Sequence, residues 1–255
     1  MRGEPFELHD DYARIAESWD LALLPVAHAC PSADAGCIRA ELERRFAEEK
    51  LGRELDAVRG DFARARSVLK LRVQRGPAAI SAPIAGDLHA ALVLDLPSFV
   101  TPVRPADLAA WEKPAPELIG IAVENVKAQE HVELNPMEIA GARIYAVSGK
   151  SVFVATLGLA ADELLGKPTP FGALVAMPSG HILLCHSIAD RRSLRALEAM
   201  AAGSLQAFEA GPAPLSPDLM WKRGDHFVSL PVRRENGEVK CEIPRVFDEE
   251  VVSKL

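Results

Sequence analysis

The sequence predicts an α+β fold: an antiparallel sheet built of hairpins interleaved with helices, preceded by a helical N-terminal region. Three observations carry this. Apolar residues recur at helical spacing up to about residue 70, and the period changes to two at Asp87. Beyond it, short strand-like runs are joined by Gly149-Lys150, Pro178-Ser179-Gly180, Arg223-Gly224-Asp225 and Asn236-Gly237, turns that make antiparallel pairs. Between those runs lie segments with helix start and stop signals, which places helices on a sheet face. The expected organisation is a helical region over 1–76 and an α+β domain over 77–255.

In the first region Tyr12, Ile15, Trp19 and Leu23 recur at three- and four-residue steps behind Asp10 or Asp11 as a cap. A longer helix is expected from about Asp34 to Leu69. Its stripe is Ile38, Leu42, Phe46, Leu51, Leu55, Val58 and Phe62, and Gly52 and Gly60 weaken or break it. Residues 74–86, with Gly76, Pro77, Pro83 and Gly86, read as a linker or extended arm. Alternation in DLHAALVLDL (87–96) predicts a half-buried strand. A proline-rich loop follows, and Pro116 opens a helix with Leu118, Ile119, Ala122 and Val126 on its buried face. ARIYAVS-GK-SVFVATL reads as a hairpin. AADELL is a helix stopped at Gly166 and Pro168, and Asp190 caps a helix that buries Leu194, Leu197, Ala201, Leu205 and Phe208. DLMWK and HFVSLPV pair, and EVKCEI follows the Asn236-Gly237 turn.

The chain has 255 residues, 49% apolar and 25% charged, enough to bury a sizeable core. Its net charge of −7 argues against broad binding to a phosphate backbone, so no nucleic-acid partner is expected. The start is acidic and mixed, unlike an export signal, and no apolar run is long enough to span a bilayer. A cytoplasmic protein with no membrane association is therefore expected. Four cysteines are too few for a disulfide scaffold, and Cys30, Cys37, Cys185 and Cys241 are expected as free thiols.

The densest group of reactive side chains is in FGALVAMPSGHILLCHSI (171–188), which holds His181, Cys185 and His186. On a strand, His181 and Cys185 share a face but stand roughly 13 Å apart, at about 3.3 Å per residue. One metal at about 2.0–2.3 Å from its ligands cannot take both. His186 points to the opposite face from Cys185, which spoils a thiol–imidazole pair. The expectation is a buried Cys185, with one histidine toward solvent or a helix. Cys30 and Cys37 lie outside the zinc and redox spacings.

VSGKS (147–151) ends like a phosphate-binding loop. The required earlier glycine is Ile144, and SVFVATL reads as a strand where a helix is required. PSGH (178–181) leads into another strand, so Ser179 is no nucleophile elbow. Arg223-Gly224-Asp225 reads as a turn. Asn125 lies in an apolar helix patch, where it either satisfies neighbouring backbone or contacts a ligand.

In their order, DLHAALVLDLP, LIGIAVENV, ARIYAVSGKSVFVATL, FGALVAMPSGHILL and PLSPDLMWKRGD resemble the YtpQ-like family of uncharacterised bacterial proteins, over about residues 77–232. The resemblance implies an α+β fold and a cytoplasmic bacterial setting, and brings no activity or site residues. Where family members often carry an acidic residue at the polar turn, this chain has His181.

No catalytic set, cofactor or metal is expected. The reading is a non-enzymatic binding or interaction protein with a protein partner, and Asn125 and His181 are the ligand-binding candidates. Two alternatives stay open: an enzyme whose site joins dispersed residues such as Asn125, His131, His181 and His226, or an immunity- or regulator-like protein that neutralises a basic partner.

Overall fold

In a computed structural model, residues 6–8, 12–15, 19–22, 26, 29–32, 34–139, 141–166 and 169–255 are described. They divide into two units, 1–61 and 62–255.

The first unit opens with three antiparallel strands, β1 (Phe6–Leu8), β2 (Tyr12–Ile15) and β3 (Trp19–Ala22), in that order. This corrects the helix expected over Tyr12 to Leu23. Ile15 and Trp19 are cross-strand partners, so a hairpin brings together two residues four apart, as a helix turn also would. Asp10, Asp11, Leu23 and Pro168 lie outside the described residues. Helix α1 (Ala35–Arg59) follows; the Asp34 carboxylate accepts the Cys37 amide at 2.8 Å. It ends at Gly60, whose amide reaches Asp56 O at 2.9 Å. Cys30 and Cys37 form a disulfide, with their Cα atoms 5.9 Å apart. The free-thiol expectation is thus corrected for this pair and holds for Cys185 and Cys241. Spacing that is wrong for zinc or a redox motif does not exclude a bond that asks only for adjacent Cβ atoms.

In the second unit, α2 (Phe62–Val68) leads straight into β4 (Leu69–Arg75). One sheet has the order β4–β6–β5, with β5 (Ser81–Ala85), β6 (Leu88–Leu96) and β7 (Phe99–Pro102), and β7 also pairs with β6. The expected linker therefore contains the end of β4 and all of β5. Strand β6 is buried on both faces, Ala91 and Val93 as well as Leu92 and Leu94, because strands flank it and layers cover it. Within the proline-rich stretch, β7 and helix α3 (Pro105–Trp111) replace the expected loop. Helix α4 (Ala115–Gln129) has Pro116 in its first turn and buries Leu118, Ala122 and Val126.

The second sheet is antiparallel throughout. It comprises β8 (Glu133–Ile139), β9 (Ala142–Ser148), β10 (Ala173–Ser179), β11 (Ile182–Ser187), β12 (Leu219–Arg223) and β13 (His226–Leu230), in the order β13–β12–β10–β11–β9–β8. The hairpin partner of β9 is β8, not SVFVATL. Val154–Ala160 is instead a 3₁₀ helix followed by α5 (Ala161–Leu165). Val154, Ala155 and Leu157 are all buried, and a short run that is apolar on every side has no period to separate strand from helix. Thr156 Oγ1 donates to Leu71 O at 3.0 Å, which fixes this segment to β4.

Each face of the second sheet carries a core. On one side Val175, Met177, Leu183 and Cys185 pack with Phe153, Leu157 and Val73. On the other, Leu174, Leu184, Trp221 and Ile144 pack under helix α6 (Arg192–Ala210) and helix α7 (Arg245–Glu250), through Leu197, Met200, Leu205 and Phe247. Leu194 and Phe208 are only half-buried. A last hairpin, β14 (Val232–Glu235) and β15 (Glu238–Cys241), turns at Asn236 and Gly237 with φ of 52° and 86°.

Candidate functional site

The site lies where β8 and β11 end and β9 and α6 begin. Gly149 N donates to His181 O, so the odd-numbered residues of β9 point their backbone groups at β11. The even-numbered ones then bond β8, and on β8 the residues directed at the open edge are Leu134, Pro136 and Glu138. Pro136 therefore forfeits no ladder bond. All seven β8 residues are exposed, among them Leu134, Met137 and Ile139. Met137 and Ile139 pair with Ile144 and Ala142, so they extend the α6-side face of the sheet beyond the helix that covers it.

A cleft of about 240 Å³ opens next to this edge, lined by Glu138, Gly141, His186, Asp190, Arg192 and Ser193 among others. His186 is buried at the end of β11. Its Nδ1 lies 2.8 Å from Arg143 O and its Nε2 lies 2.9 Å from Ser193 Oγ. A carbonyl can only accept, which puts the proton of the neutral ring on Nδ1 and leaves Nε2 to accept from the serine hydroxyl. Ser193 Oγ in turn accepts the Ala189 amide at 3.3 Å. Asp190 accepts the Arg192 amide at 2.8 Å and its guanidinium, and these hydrogen bonds draw the carboxyl pKa down to about 2. Glu138 bonds Arg143 at 2.7 Å.

Strand alternation thus distributes the 171–188 cluster as expected. Cys185 faces the first core, where burial and the nearby Asp162 charge push its thiol far up, and His186 faces the helix. His181 sits at the β10–β11 turn, half-buried, with its amide on Ser179 Oγ at 3.3 Å. Asn125 spends its amide group on Arg66 O and Leu69 O, at 2.7 and 2.8 Å, tying α4 to the α2–β4 junction. His131 follows α4 and His226 begins β13. None of Asn125, His131, His181 and His226 lines this cleft or a second one of about 210 Å³ bounded by Lys127, Glu130, Leu157 and Leu164. Sequence reasoning missed Ser193. It is seven residues from His186 with a strand end and a turn between them, and no short motif has that spacing.

At VSGKS the segment after Ser151 is not a strand, but Ile144 still stands where the loop needs glycine, and the Ser151 hydroxyl accepts the Phe153 amide at 3.1 Å. Beside the second cleft, Lys70 is buried and bonds Glu130 at 2.6 Å and Asp95 at 2.9 Å, 4.7 Å from the Phe153 ring centre. Burial alone would lower its pKa; the two carboxylates outweigh that and raise it. Among the described residues no helix is long and apolar enough to cross a membrane. No known protein family, curated protein or solved structure matches the chain.

Proposed function

We propose that the chain is a binding and interaction protein whose protein partner docks on β8. The supporting observation is exposed Met137 and Ile139 on the α6-side face of one edge strand, with exposed Leu134 on the other face of the same strand. The other large apolar side chains exposed among the described residues are Ile243 and Val246, near α7. Pro136 withholds an N–H from the open edge, so recognition goes through side chains and not through a continuous added strand. Glu133 on the same strand, with the net charge of −7, favours a partner with basic residues around an apolar centre. The order of its motifs supports kinship with the YtpQ-like proteins, and with it a cytoplasmic setting.

The test is a photo-crosslinking residue in place of Met137, compared with one at exposed Arg195, in cells that produce the protein. A discrete protein adduct from position 137, lost on adding Leu134→Lys and Ile139→Lys, is the expected result. Equal adducts from both positions, or none, would refute the reading.

A further inference from the structure

We propose that Ser193 is a nucleophile activated by His186, and that the cleft beside them accepts a small ester. This goes beyond docking on β8 and does not depend on it. The serine oxygen is 2.9 Å from His186 Nε2, within reach for proton transfer. The other ring nitrogen is held 2.8 Å from Arg143 O, which fixes the tautomer with Nε2 as the proton acceptor. Here a backbone carbonyl does the orienting that a carboxylate does in the usual serine triad, and it likewise stabilises the imidazolium once formed. Both residues line a cavity of about 240 Å³. That volume suits a short acyl group, smaller than the pockets of about 300–1,000 Å³ that hold drug-sized ligands. The Arg192 side chain lies along one wall: its Cδ would be 3.6 Å from a Cβ on Gly141. Its guanidinium is paired with the Asp190 carboxylate, so the pair closes that wall of the cavity.

In the reaction, Ser193 Oγ attacks the ester carbonyl while its proton passes to His186 Nε2. Collapse of the tetrahedral intermediate expels the alcohol, which takes that proton, and leaves an acyl-serine. Water then attacks the acyl-serine with His186 again accepting and returning a proton, so the serine is regenerated and a carboxylic acid is formed. No oxidant or further reactant is needed.

The same three groups also join β9, β11 and α6, and the experiment separates a reactive serine from a purely structural clasp. The full chain is treated with a fluorophosphonate probe and the adduct is mapped by peptide mass spectrometry. A single adduct on Ser193 is expected, absent in Ser193→Ala. His186→Gln, checked for native circular dichroism, is expected to slow labelling about 100-fold or more, the contribution of a positioned general base. p-Nitrophenyl acetate hydrolysis should fall with it. Wild-type protein that takes up no probe at Ser193, under conditions that saturate a known serine esterase, would overturn the proposal whatever the variants do, because a structural clasp needs no reactive oxygen.

Discussion

Gly172 shows how little room the second sheet leaves. Its φ is +85°, and a Cβ there would lie 2.3 Å from Lys222 O and 2.8 Å from Trp221 Nε1, which itself donates to Phe171 O at 2.7 Å. Gly172→Ala meets both backbone strain and a clash with main chain, and is expected to cost at least about 2 kcal/mol in urea unfolding. Ser204 is the opposite case. It is fully buried in α6, and its hydroxyl has no hydrogen-bond partner among the described residues. Ser204→Ala removes a desolvated polar group and improves helix propensity, so a gain of about 1 kcal/mol is expected in the same assay. At the cleft, Asp190 has a depressed pKa. Its contribution is present above the unfolded value and is lost as pH falls through about 2 in the folded state. An NMR titration should find its carboxyl still ionised at about pH 3, a unit below the ordinary aspartate value. A midpoint at that ordinary value would show that the Arg192 contacts do not form.

At the scale of elements, Lys70 joins β4, β6 and the end of α4 through Asp95 and Glu130. Lys70→Ala strands the buried Glu130 carboxylate and is expected to cost about 3 kcal/mol, whereas Lys70→Met with Glu130→Leu should cost much less. Because the folded pKa of Lys70 is raised, this contribution is whole below the unfolded value of about 10.4 and fades only at higher pH. A thiol assay in guanidinium without reductant should count two reactive groups, Cys185 and Cys241, and four after reduction. Four thiols at the outset would remove the Cys30–Cys37 link. The elements read best from sequence were those with local punctuation: the Asn236-Gly237 turn, the Gly166 stop after α5, Gly60 after α1. β1 to β3 failed because strands of three or four residues carry too few positions to show a period. The 3₁₀ segment failed because burial on every side erases the period. Strand alternation alone was enough to set Cys185 and His186 on opposite faces. It could not reveal Ser193, which the fold brings to His186 from the next helix.

Across the whole chain, residues 62–255 hold the four-stranded and six-stranded sheets, both cores and the cleft. A chain beginning at Phe62 is therefore expected to unfold in one cooperative transition by circular dichroism and to keep the reactivity expected of Ser193. A non-cooperative melt would show that residues 1–61 are needed to complete the fold. The second sheet ends on one side in β8, whose open edge presents Leu134 and Glu138 with Pro136 between them. That single missing N–H has a colloidal consequence. An edge carrying apolar side chains would otherwise be a template for stacking one molecule on another. Pro136→Val completes the row of donors without touching a ladder bond or the core. It should leave the midpoint of thermal unfolding nearly unchanged while shortening the lag before the protein forms thioflavin-positive fibrils at high concentration.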